Sequence, residues 1–302
     1  MNWKTTLLLG LSLGWGLAVN AQEPATPEAK QEEPKKEEPK KEEPNKEEPK
    51  KEEPKKEEPK PDPNAPKYQP NDIRRPRPTV VVPPTTSTPE QTGKAPSDAI
   101  VLFDGTSLAA WQGERKPKDG ETDEPQWKVE NGYFEIKPGS GGIRTREKFG
   151  SCQIHFEWRT PDVVKGNGQG RGNSGIYIQG HPEVQLLDSY HNDTYPDGQA
   201  AGIYGHFPPL VNASLPPGEW QTYDIIYAAP KFDEKKKLVK KPLYTVLHNG
   251  VLVHHAVEVS GNAVECHFSL QDHGNPLRFR NFWVRRLRDY DEHPPSVELG
   301  GK

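Results

Sequence analysis

Residues 127–139 read "WKVENGYFEIKPG" and residues 244–259 read "YTVLHNGVLVHHAVEV". Each places an Asn-Gly pair, Asn131-Gly132 and Asn249-Gly250, between two segments of alternating apolar and polar residues. Asn and Gly tolerate the positive φ angles that a two-residue hairpin turn demands, so both stretches predict β-hairpins. The alternation continues outward. In "SCQIHFEWRT" Cys152, Ile154, Phe156 and Trp158 share one face, and Gln153, His155, Glu157 and Arg159 share the other, the signature of a half-buried strand. "SGIYIQG", "EVQLLD", "WQTYDIIYAA" and "LRFRNFWVRRL" add further strands, and no run of helical period interrupts them. Many short antiparallel strands bounded by Gly, Pro and Asn predict an all-β, two-sheet sandwich of the jelly-roll kind.

That pattern occupies only part of the chain. Apolar residues make up 31% of the whole, a value that suggests disorder, yet nearly every Trp, Tyr and Phe lies after residue 97. Met1 to Ala21 supply a lysine, the apolar run "TTLLLGLSLGWGLAV" and a small-residue end, which predicts a cleaved secretion signal over 1–21, too short for a membrane span. Residues 22–97 read as a disordered spacer, because "EEPKK" recurs from Glu32 to Lys60 and proline every fifth residue forbids a continuous helix. In polyproline-like extension such a segment reaches on the order of 200 Å. Its paired Lys and Glu nearly cancel, so the spacer itself demands no charged partner. The cluster Arg74-Arg75-Pro76-Arg77 is locally basic and leaves contact with a cell-envelope polymer open. A net charge of −4 gives no electrostatic footprint for nucleic acid. The folded domain is expected over 98–290, with a disordered tail over 291–302.

Two cysteines, Cys152 and Cys266, fall inside that domain. An even pair in an exported protein predicts one disulfide, worth roughly 4–5 kcal/mol in the chain-entropy model. Two buried thiols are the alternative.

Nine segments in order, "LFDGTSLAAWQG", "WKVENGYFEI", "GGIRTREKFGSCQIHFEWR", "GNSGIYIQG", "EVQLLD", "GIYGHFPP", "PPGEWQTYDI", "LHNGVLV" and "LQDHGNPLRFRNFWVRRL", resemble the 3-keto-disaccharide hydrolase domain family, also described as 3-keto-glucoside lyase and hydratase domains. The resemblance covers the globular part and none of the spacer. It implies a concanavalin-like jelly roll, bacterial export to the periplasm, cell surface or medium, and action on oligosaccharides or other glycosides whose C3 hydroxyl has become a ketone.

A 3-keto-glycoside sets three demands. The ketone acidifies the C2 hydrogen, so a base must lie near C2, donors must face the developing enolate oxygen, and an acid must protonate the departing C1 oxygen. In "EVQLLD" Glu183 and Gln185 share a face, and with the resemblance Glu183 becomes the leading catalytic carboxylate; on an isolated strand both would simply face water. Asp188, ending that strand, and His273, in the turn "QDHG", are the other catalytic candidates. Gln271, Asp272 and Arg280 are expected beside Glu183 across the sheet. Alternation puts Arg278, Arg280, Phe282 and Val284 on one face, and an arginine among apolar neighbours needs an anionic partner, Glu183 or Asp272. A plain structural ion pair is the competing reading for Arg280.

Arg144, Asn173, Ser174, Tyr204 and His206 lie in matching motifs and are read as sugar-hydroxyl ligands, while Tyr177, Tyr190 and Trp220 offer stacking faces. A divalent metal held by carboxylates with His206 or His273 is one way to polarise the ketone, although no ligand spacing demands it. The charged stretches 113–126 and 228–242 read as surface loops. The competing functions are a carbohydrate-binding module and an envelope protein whose spacer is its main purpose.

Overall fold

The computed structural model describes residues 68–117, 120 and 122–289. The expected signal, the "EEPKK" repeats and the tail lie outside the described residues.

Two antiparallel sheets enclose the core. In spatial order the larger contains β13 (Val251–Glu258), β12 (Leu243–His248), β9 (Gln221–Ala228), β6 (Cys152–Arg159), β15 (Arg278–Arg286), β4 (Tyr133–Glu135) and β3 (Lys128–Glu130), with β1 (Ile100–Phe103) pairing the far part of β15. The smaller runs β2 (Trp111–Gly113), β5 (Ile143–Thr145), β14 (Phe268–Leu270), β7 (Ser174–Ile178) and β8 (Glu183–Leu186). The charged stretch 228–242 carries a two-stranded flap, β10 (Lys231–Phe232) with β11 (Leu238–Lys240). Among the described residues there is no α-helix, and none long and apolar enough to cross a membrane. The all-β jelly-roll sandwich is therefore the observed fold.

Both Asn-Gly turns form as expected, with φ of 47° and 77° at Asn131-Gly132 and 52° and 76° at Asn249-Gly250. They close the β3–β4 and β12–β13 hairpins. On β6 the residues Cys152, Ile154, Phe156 and Trp158 are fully buried. They meet inward residues of the smaller sheet such as Phe268, Leu270, Ile176 and Leu186. Trp111 of the smaller sheet packs edge-on against Phe282 of the larger at 5.0 Å and so joins the layers, while Phe156 stacks on Phe282 within the larger sheet at 4.8 Å. Such pairs add about 0.5–1.5 kcal/mol each beyond the area they bury. The Trp111 indole donates to the Leu102 carbonyl over 2.8 Å, so its polar atom carries no burial penalty.

Strand β15 departs from simple alternation. Arg280 faces Glu157 and Trp283 faces His155, so Asn281 and Phe282 together oppose the single residue Phe156. This bulge, with Asn281 at φ 49°, reverses the phase of the strand. Phe279, Phe282 and Val284 all point into the core, whereas the expected alternation put Phe282 and Val284 beside Arg280. Arg280 instead lies on the outer face of the larger sheet.

The outer face there is covered by a segment the sequence reading assigned to the spacer. A tight loop is closed by Thr85 N–H to the Lys94 carbonyl, Thr88 N–H to the Gln91 carbonyl and Gly93 N–H to Ser87 Oγ. Arg280 donates to the Thr88 and Pro89 carbonyls over 2.7 and 3.1 Å, Ser87 bonds to Glu157, and Pro96 is buried.

The expected disulfide is absent: Cys152 and Cys266 are both free and buried. Cys152 belongs to β6, whereas Cys266 lies on the segment entering β14 and pairs with Phe149. Its sulfur is 3.6 Å from the Ala263 carbonyl and 4.0 Å from the Tyr227 hydroxyl, so the thiol has polar neighbours of its own.

Candidate active site

The outward face of the smaller sheet is unusually polar, and strand register explains why. Gln112 lies opposite Arg144, Arg144 opposite Ser269, Ser269 opposite Tyr177 and Tyr177 opposite Glu183. Because side chains alternate across a strand, this row shares one face, while Ile143, Leu270, Ile176 and Val184 supply the core on the other. The adjacent row carries Gln271 between Gly142 and Gly175, followed by Gln185.

Glu183 sits at the end of the first row. Its Oε2 accepts from the Tyr177 hydroxyl over 2.6 Å. Gln271 Nε2 reaches that hydroxyl at 3.4 Å, and Gln185, its amide oriented to suit its neighbours, donates to the Ser174 carbonyl at 2.7 Å and to Glu183 Oε1 at 3.2 Å. Gly175 makes room for this arrangement. A Cβ there would stand 1.6 Å from Glu183 Oε1, so the carboxylate rests where any other residue would place a side chain. Burial pushes the Glu183 carboxyl above its ordinary pKa, and the Tyr177 hydrogen bond pulls partly the other way. Tyr177 is raised as well, by burial first and by the neighbouring carboxylate second. A carboxyl held closer to neutrality beside an open sheet face is suited to moving protons.

Arg144 stands three strands away, its Nε and Nη2 on Gln112 Oε1 at 2.9 and 2.8 Å. Tyr204 closes the Glu183 edge: its N–H donates to the Glu183 carbonyl over 3.0 Å, and its hydroxyl bonds to that of Tyr195. Thus Glu183, Gln185, Gln271 and Tyr204 lie close to one another, and Arg144 shares their face at the far end of the row.

Other expected residues do not join them. Asp188 is 3% exposed and paired with Arg171 at 2.7 Å, holding the loop after β8. Asn173 is buried, donating to the Gln169 carbonyl over 2.7 Å. Asp272 accepts from the N–H groups of Gly141 and Gly274 at 2.9 and 3.0 Å, which fixes the turn after β14. His273 and His206 are exposed in turns of their own. Arg280 pairs with Glu157 at 2.7 Å on the opposite sheet, under Trp220, with neither Glu183 nor Asp272 as partner; β15 belongs to the larger sheet, and alternation with the inward Phe279 turns Arg280 to its outer face. Among the described residues no three or more His, Cys, Asp or Glu side chains are grouped to hold a metal ion.

Sequence reasoning missed Gln112, Gln179 and Glu114 on this face. Gln112 and Gln179 were accessible to it, since Gln112 follows an inward Trp111 and Gln179 is two residues beyond Tyr177. Glu114, two residues past Gln112, keeps the same alternation but falls at the start of the charged stretch 113–126, which reads as a loop.

The family model described as the 3-keto-alpha-glucoside-1,2-lyase-like domain matches residues 98–285. The chain belongs to this family. A crystal structure from Parabacteroides distasonis ATCC 8503, named as a candidate glycosyl hydrolase, is 40% identical over 72% of this chain and 95% of that one, with a TM-score of 0.62. A second structure from the same organism, named the same way, is 21% identical over 63% of this chain and 94% of that one, with a TM-score of 0.47. No curated protein sequence matches the chain. Family membership sets carbohydrate-active chemistry as the context for the Glu183 face.

Proposed function

We propose that this domain cleaves 3-keto-glycosides, with Glu183 as the base that removes the C2 proton. The observation that carries the reading is the half-buried Glu183 carboxyl, raised in pKa and held by Tyr177 at 2.6 Å in one row with Arg144. The C3 ketone makes the C2 hydrogen acidic. Transfer of that proton to Glu183 leaves an enolate, whose electron pair expels the C1 substituent and generates an unsaturated keto sugar. Water adding to that product turns lyase chemistry into net hydrolysis. Tyr177 donates directly to Glu183 and Gln271 Nε2 reaches the same hydroxyl; once Glu183 has taken the C2 proton, that hydroxyl and amide are suited to meet charge developing on the C3 oxygen, and base and donor contributions of this kind are typically worth ~10²–10⁴-fold each. Arg144, Gln112 and Tyr204 would hold sugar hydroxyls along the row. The leader-like residues 1–21 support action outside the cytoplasm, with the "EEPKK" segment as a spacer free to touch envelope polymer.

The test is incubation of the full chain with a panel of 3-keto-glucosides, following aglycone release and enone absorbance for wild type and Glu183→Gln. Loss of turnover in Glu183→Gln is expected. Turnover that survives the substitution removes Glu183 as the base, and no turnover on any substrate leaves a carbohydrate-binding module.

A further inference from the structure

The elimination needs an acid at the C1 oxygen, and Glu183 cannot hold the C2 proton and supply a second one in the same step. The face that carries Glu183 carries another carboxylate. Glu114 follows β2, and its N–H donates to the Gly142 carbonyl over 2.9 Å, which continues the row Gly142, Gln271, Gly175 by one more position. Its side chain folds back over the sheet. A Cβ on Gly142 would stand 2.7 Å from Glu114 Oε2, just as a Cβ on Gly175 would collide with Glu183 Oε1. Gln179, on the same face two residues past Tyr177, donates to Glu114 Oε1 over 2.9 Å and fixes that orientation. Two glycines in one row thus cradle two carboxylates, with Gln271 as the floor.

The geometry points to Glu114 as the second acid–base group of this site, acting at the C1 oxygen; this role rests on the reading of Glu183 as base. Gly142 and Gly175 are two strand spacings apart, which places the carboxylates on the order of 10 Å from each other. Carboxyl pairs that work by proton transfer, with a water between them, stand roughly 6.5–9.5 Å apart, whereas a nucleophile and its acid stand roughly 5–5.5 Å apart. The wider class fits. In elimination the Glu183 carboxylate takes the C2 proton, the enolate pair forms the C1–C2 double bond as the C1–O bond breaks, and the Glu114 carboxylic acid gives its proton to the departing oxygen. In hydration the Glu114 carboxylate takes a proton from water as its oxygen bonds to C1, and Glu183 returns its proton to C2. Both carboxyls end as they began.

Leaving-group dependence separates this role from simple sugar binding. Nitrophenolate departs without protonation, whereas methoxide does not. The full chain and Glu114→Gln are compared on 4-nitrophenyl and methyl 3-keto-glucosides of both anomers, following aglycone release and deuterium exchange at C2 by NMR. Glu114→Gln is expected to lose roughly 10²-fold or more on the methyl glycosides. It is expected to lose less than about tenfold on the nitrophenyl ones and to keep C2 exchange, since the base is intact. Equal losses on both substrates, or none on either, overturn the role while leaving Glu183 as base. Wild type with neither turnover nor exchange overturns the reading beneath it.

Discussion

The phenol of Tyr177 donates to Oε2 of Glu183 over 2.6 Å, and two opposing influences meet in that contact. Burial raises the Glu183 carboxyl, and the hydrogen bond stabilises its ionised form. Tyr177→Phe removes the second influence and keeps the first, so the acidic limb of the kcat/KM profile should move to higher pH. A hydrogen bond to a charged group is worth about 1.5–3 kcal/mol, which corresponds to a loss of roughly tenfold or more near the limb. Rates on a 3-keto-glucoside from pH 4 to 9 test this, and a limb that stays in place would disconnect Tyr177 from the titration of the base.

Gly175→Ala should abolish the position of the same carboxylate without harming the fold. Alanine suits a strand interior at least as well as glycine, but its Cβ claims the space of Glu183 Oε1. A displacement of about 1 Å in a reacting group costs on the order of 10²-fold in rate. Activity should fall by that factor while the thermal midpoint moves little. A variant that unfolds several degrees early would instead make Gly175 a packing residue.

Arg280 is expected to matter for stability alone. It and Glu157 are 5% and 2% exposed, and removing one member of a buried ion pair strands the other charge at a cost of about 3–5 kcal/mol. Arg280→Ala should lower the denaturant midpoint accordingly and expose the chain near Ser87 to protease, because the Thr88 and Pro89 carbonyls lose their donor. Turnover per folded molecule should hold at temperatures well below unfolding. A selective loss of kcat with normal stability would return Arg280 to the catalytic machinery.

These contrasts show where the sequence was legible. Asn131-Gly132 and Asn249-Gly250 declared their hairpins because a two-residue turn is chosen by the local φ tolerance of its own residues. Glu183 and Arg144 reached one face because alternation holds along short strands, even though the register that joins them depends on β14 and β7 lying between. Arg280 failed for a non-local reason: β15 pairs with β6 in the larger sheet while Glu183 on β8 lies in the smaller, and the bulge at Asn281 then parts it from Phe282 and Val284; nothing in "RFRNFW" marks either without its partner strand. Asp188 and Asp272 failed differently. Both stand next to motif residues, but the neighbouring Arg171 and backbone N–H groups already use their oxygens. Glu114 was hidden because its charged neighbours read as a loop, and only the glycine opposite reveals that its side chain lies on the sheet.

The two cysteines should titrate as thiols. Burial pushes Cys152 up to about 12 and raises Cys266 as well, so the native protein, purified without reductant, should react slowly with a thiol reagent at pH 8. Unfolding in denaturant should release both at once. Denatured chains that show none would mean a disulfide had formed, contrary to the free, buried pair.

The pH dependence of stability should have two slopes of opposite sign. His248 is 1% exposed with Nε2 on Gln221 Oε1 at 2.9 Å, and burial pushes its pKa down to about 4. The unfolded chain therefore binds a proton from about pH 6.5 downward while the folded chain does not, and stability is lost as pH falls toward 4, by on the order of 3 kcal/mol. His254, lowered by burial and bonded to the Ala201 carbonyl at 2.9 Å, acts in the same direction. Glu183 acts in the other. Its raised pKa means the folded chain keeps a proton that the unfolded chain releases above about 4.5, so its contribution falls as pH rises through the raised value. Glu183→Gln should consequently stabilise the protein near pH 7 and steepen its acid sensitivity, whereas His248→Gln should flatten that sensitivity. Urea midpoints from pH 4 to 8 for the three proteins test the signs, and a Glu183→Gln variant less stable than wild type at pH 7 would mean that the carboxylate contributes more to the fold through Tyr177 than its burial costs.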